Sequence, residues 1–117
     1  YGVDIVLNGH DHIYERFAPQ NPDGILQPRR GIREFTVGTG GGDANEPIHT
    51  PAANSELIRN NTYGVLKLTL YAASYDWEFI SIPGQDFTDS GVAVCVPLIS
   101  PPQMRYHLWL PIITQGD

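Results

Sequence analysis

The chain has one cysteine, Cys95, one lysine, Lys67, and no apolar run of the roughly 18 residues a membrane helix needs, its longest candidates being broken by Pro97 or Pro111. A lone thiol excludes an internal disulfide and leaves the redox compartment undecided. Its place in the Val92 to Val96 run suits a small buried hydrophobe. Seven Lys plus Arg stand against thirteen Asp plus Glu, for a formal charge of −6. Sequence-independent nucleic-acid binding requires a basic face, so this balance disfavours that partner class. The glycine cluster from Gly38 to Gly42 lacks the Lys and Ser/Thr of a P-loop and does not match GxGxxG. It reads as a structural turn in which glycine relieves crowding.

What is present is the composition of one soluble globular domain: 117 residues, 41% hydrophobic and 10% aromatic. Asn60-Asn61-Thr62 matches a glycosylation sequon, a frequent three-residue coincidence. Tyr1-Gly2-Val3 enters the first apolar segment without a cap or turn, so the expectation is a C-terminal fragment whose true start lies well upstream.

Chemistry concentrates in Asp4 to Arg16, DIVLNGHDHIYER. Ile5, Val6 and Leu7 are too few for a helix and predict a short strand buried on both faces. Strands of that kind present their functional groups just past their C-terminal ends, where Gly9, His10, Asp11 and His12 follow. Gly9 can adopt a strained backbone and let the chain approach an ion closely. His10 and His12 offer imidazole nitrogens suited to zinc, iron or manganese. On an extended segment, residues two apart face the same side at about 6.5–7 Å. That fits one shared ion, or two ions about 3.5–4 Å apart. Asp11 alternates to the other side, as a group that orients an imidazole or lies at the surface.

Further along, the turn formers between Ala18 and Arg30 predict a surface excursion, and Ile32 to Val37 alternates as a strand. Ala44 to Asn61 is polar, with Asn54 a candidate N-cap for one short helix through Arg59. His49, within that stretch, reads as an exposed loop histidine. From Tyr63 the period becomes two. Leu66, Leu68 and Leu70 oppose Lys67, Thr69 and Tyr71, and Tyr75, Trp77 and Phe79 oppose Asp76 and Glu78, which predicts an antiparallel hairpin with a buried aromatic face. Pro83-Gly84 ends it. Tyr106 to Ile113, with His107, reads as a terminal strand or tail.

Gly9-His10-Asp11-His12 after an apolar strand closely resembles the GHxH block of the calcineurin-like metallophosphoesterases, and Ile13-Tyr14-Glu15-Arg16 looks like the purple acid phosphatase branch. Thr36-Val37-Gly38-Thr39-Gly40-Gly41 resembles the strand and turn that follow this loop in that family. Tyr75 to Phe79 resembles the closing strand of its catalytic domain, and Phe87 to Gly91 a segment beyond that core in secreted bacterial relatives. The likeness covers residues 1 to 91, with 92 to 117 left as a linker and terminal strand or tail.

The resemblance implies an α/β fold, this chain being the mostly β, C-terminal part of a four-layer αββα sandwich. It implies a binuclear centre of Fe, Zn or Mn in which His10 is a ligand of the divalent second metal and His12 of the first. It also implies hydrolysis of a phosphate ester, as a monoesterase or diesterase, by a metal-bound hydroxide. Tyr14, Glu15 and Arg16 would be a packed ring and a salt-bridged pair holding the loop. The family's DxH, GDxxY, GNH[DE] and VxxH blocks are missing, so the implied partner is the upstream half of the same catalytic domain and the implied location extracellular or periplasmic. The rival expectation is a non-catalytic extracellular β-module with an incidental HxH, which would form a self-sufficient sheet without an open apolar edge.

Overall fold

The computed structural model describes residues 2–43, 47, 48 and 50–97. His49, and the terminal segment with His107, lie outside them. Seven strands follow in order: β1 (Ile5–Asn8), β2 (Tyr14–Phe17), β3 (Arg33–Val37), β4 (Ser55–Arg59), β5 (Gly64–Leu70), β6 (Ser74–Ser81) and β7 (Thr88–Val94). No helix occurs among the described residues, so the expected α/β class is corrected to all-β: a mixed four-stranded sheet in the order β1-β3-β2-β4 and an antiparallel three-stranded sheet β5-β6-β7.

Local expectations change with it. The helix expected from Asn54 through Arg59 is strand β4, antiparallel to β2. Asn54 is a left-handed turn residue with φ 66°, and its side-chain amide donates to Gln20 Oε1 at 2.9 Å and to the Gly24 carbonyl at 2.7 Å. Five residues cannot sustain an isolated helix, whereas the open side of β2 offers a ladder. Strand β1 is parallel to β3 as its composition suggested, but it lies at the sheet edge and is not buried on both faces. Leu7 is 55% exposed and Val6 36%. Strand β2 falls where a loop was expected, and β7 runs straight through the 91/92 junction.

The alternating segments behave as expected. The hairpin β5-β6 pairs Leu66 with Phe79 and Leu68 with Trp77, and β7 completes the sheet by placing Asp89, Gly91 and Ala93 opposite Phe79, Trp77 and Tyr75. The inward residues form one core between the sheets: Tyr14 and Phe35 from the first against Tyr75, Trp77 and Phe79 from the second, with Leu57, Leu66, Leu68 and Phe87 packed around them. Tyr14, Phe79 and Phe87 stack as tilted rings with centroids 4.7 to 5.5 Å apart, a favoured aromatic geometry.

Candidate functional site

The histidine loop leaves the C-terminal end of β1 and re-enters the sheet as β2. Because β1 and β3 are parallel, the turn after β3, which begins at Gly38, emerges at the same end of the sheet. One hydrogen bond tightens the histidine loop and another ties it to the glycine turn. Ile13 N–H donates to the Asp11 carbonyl at 2.8 Å, and Gly38 N–H donates to the Ile13 carbonyl at 3.0 Å. The strained residue is His10, with φ 81°, not Gly9 as the sequence suggested. A left-handed non-glycine residue costs on the order of 1–3 kcal/mol and gathers at functional sites. Here it turns the exposed His10 away from the strand direction while His12 is half-buried.

The glycine cluster holds the loop by close approach. A Cβ on Gly38 would overlap the Asp11 carbonyl and press on the His12 backbone, and a Cβ on Gly42 would overlap the His12 ring. The imidazole therefore lies against bare backbone. Thr39 ties the same turn to the second sheet: its hydroxyl donates to the Gly64 carbonyl at 2.9 Å, and Gly64 N–H donates to the Thr39 carbonyl at 3.2 Å. Gly38→Ala is expected to destabilise the fold by about 1–3 kcal/mol, the usual cost of overpacking, and to shift the NMR signals of both imidazoles. An unchanged melting temperature with unmoved histidine signals would refute this packing.

The remaining residues singled out from the motif take structural places. Tyr14 is fully buried, and its hydroxyl donates to Asp89 Oδ2 at 2.6 Å. Burial, reinforced by the Asp89 carboxylate, raises its pKa far above the ordinary phenol value. Arg16 was expected to pair with Glu15 but points to the opposite face of the sheet. It grips Asp89 through Nε at 2.7 Å and Nη2 at 3.3 Å, and also contacts Glu56. Trp77 Nε1 donates to the same Asp89 carboxylate at 3.2 Å, and the guanidinium groups of Arg16 and Arg33 both lie over the Trp77 ring, 5.4 and 5.0 Å from its centroid. Burial pushes the Asp89 carboxyl up, but its hydrogen bonds from Arg16, Tyr14 and Trp77 outweigh that and hold its pKa below the usual carboxylate value.

This hub has no local signal in the sequence. Phe87 to Gly91 carries only a family likeness, and Asp89 meets Tyr14 and Arg16 across 75 and 73 residues. Glu15, which had been paired with Arg16, instead lines a cavity on the outer face together with Asp11.

The metal-binding chemistry of the loop is confined to two imidazoles. No group of three or more His, Cys, Asp or Glu suited to a metal ion occurs among the described residues. Two imidazole nitrogens are fewer than the four donors of a tetrahedral site. In comparisons with known proteins, no family model, no curated protein and no solved structure matches this chain.

Proposed function

We propose that this chain supplies His10 and His12 to a binuclear metal centre that hydrolyses phosphate esters, the other ligands coming from a part of the protein beyond these residues. The observation that carries the reading is the GHDH loop at the C-terminal end of a parallel strand, with His10 in a strained left-handed conformation and His12 packed on Gly42. Strain held in place by surrounding backbone is the form a preorganised ligand loop takes. The open apolar edge of β1, with Leu7 more than half exposed, favours this reading over a self-sufficient β-module, because such an edge invites further strands.

The test is metal analysis and turnover of an aryl phosphate in a longer protein that carries the missing ligand blocks. His10→Ala and His12→Ala are each expected to lower bound metal and to remove most of the activity, since an open two-metal site has no spare ligands. Retention of full metal content and near-normal turnover by either variant would overturn the ligand assignment.

A further inference from the structure

On the face of the four-stranded sheet turned away from the core, a row crosses all four strands: Asn8, Thr36, Glu15 and Ile58. Glu15 sits in the middle of this row at 8% exposure, and its Oε1 is buried without a hydrogen-bond donor. The two arginines near the middle of the sheet are committed to the other face, Arg16 to Asp89 and Glu56 and Arg33 to Glu56. Arg59, next to Ile58, lies over the Phe87 ring. A buried carboxylate oxygen that accepts nothing is costly, because an ionised group removed from water needs a compensating charge or donor.

Beside Glu15 is a cavity of about 530 Å³. Asp11 lines it from the histidine loop, Ile13 from the segment leading into β2 and Ile58 from β4, and Ile48 and Pro51 add further apolar lining. A few polar groups on apolar walls, in a volume of this size, is the make-up of a small-molecule site. The geometry points to a binding site for a small organic cation, an alkylammonium or alkylguanidinium, with its charged head at Glu15 and Asp11 and its chain against the isoleucines and Pro51.

The chemistry selects that class. A carboxylate is acceptor-only, so its ligand must donate, and a charged donor makes the stronger bond. A bare divalent ion would want six or more oxygens, whereas the rest of the lining is largely apolar. The chain's formal charge of −6 also raises the local concentration of cations. The site does not depend on the histidines: His10 and His12 are not among its lining residues.

Titrating the 117-residue chain with agmatine, n-butylammonium and 1-butanol, read by amide chemical shifts and calorimetry, tests the proposal. Saturable binding of the two cations is expected, with shifts centred on Ile13, Glu15 and Ile58, and none of the neutral alcohol. Glu15→Gln keeps the side-chain shape and should weaken agmatine by about tenfold to a hundredfold, the worth of one charge-assisted hydrogen bond. The wild-type shift map stands even where the variant folds poorly. Equal affinity in a folded Glu15→Gln, shifts centred on the exposed Asp76 and Glu78 face, equal binding of butanol, or no saturable binding would each overturn the site.

Discussion

Asp89→Ala is expected to lower the stability of this protein by about 3–5 kcal/mol, the usual result of removing one partner from a buried ion pair. The Asp89 side chain is 9% exposed and that of Arg16 16%. The carboxylate takes hydrogen bonds from three side chains that together bridge the two sheets: Tyr14 and Arg16 from β2, Trp77 from β6. Arg16 would keep Glu56, which is 37% exposed, but the hydroxyl of the fully buried Tyr14 and the indole N–H would lose their acceptor. Each buried donor so stranded costs about 1–3 kcal/mol. Urea unfolding followed by far-UV circular dichroism measures this directly, and a loss under about 1 kcal/mol, the level of a surface ion pair, would show that the hub is not a structural tie.

The same carboxyl sets an acid limit. Its pKa is depressed in the folded state, so its stabilisation is fully present above the ordinary carboxylate value of about 3.9. It is lost as pH falls through the lower folded value. Asp89→Asn should therefore show a shallower loss of stability below about pH 4.

How far the sequence anticipates this arrangement depends on the range over which each residue acts. In β5 and β6 alternate residues meet the same core until Leu70, which is exposed, so Leu66, Leu68, Tyr75, Trp77 and Phe79 announce a hairpin by period alone. Strand β2 conceals itself, because Tyr14-Glu15-Arg16-Phe17 has no apolar alternation and the charge at Arg16 lies on the core face, made tolerable by Asp89, Glu56 and the Trp77 ring. Strand β4 reads as a helix because its short span carries a cap-like Asn54, and the vacant side of β2 decides otherwise. Exposure of β1 is likewise set by its edge position. Its Ile-Val-Leu run encodes burial that the described residues do not supply.

The histidine pair is legible because its spacing is local, and so is the role of the glycine turn, which the structure places directly on Asp11 and His12. The Glu15 cavity is not. Part of its lining comes from Ile48 and Pro51, more than thirty residues downstream, and Glu15 reads in sequence as the natural partner of Arg16 until the strand sends the two side chains to opposite faces.

Trp77→Ala carries the other large effect, for a packing reason separable from the hub. Trp77 is 7% exposed and meets Phe35 edge-on at 5.7 Å, Tyr75 at 6.2 Å and both guanidinium groups. Removing it is expected to cost about 3–5 kcal/mol, as for other buried tryptophans. Trp77→Phe should cost less if packing dominates, since a ring remains for Phe35 and the arginines, the losses being the bond to Asp89 and the volume of one fused ring.

The cross-strand neighbour supplies a sharper test. Gly91 pairs with Trp77, and a Cβ there would overlap the indole six-membered ring, so Gly91 is small in order to seat Trp77. Gly91→Val should therefore be destabilising in the wild type, by about 1–3 kcal/mol for an overpacked core. In the Trp77→Ala background it should be neutral or restoring, because its methyls enter space the indole vacated. The coupling between the two sites, read from a double-mutant cycle of urea midpoints, is expected within the range of about 0.5–3 kcal/mol found for residues in contact. Simple additivity of the two losses would mean that the β6-β7 face is not packed as described.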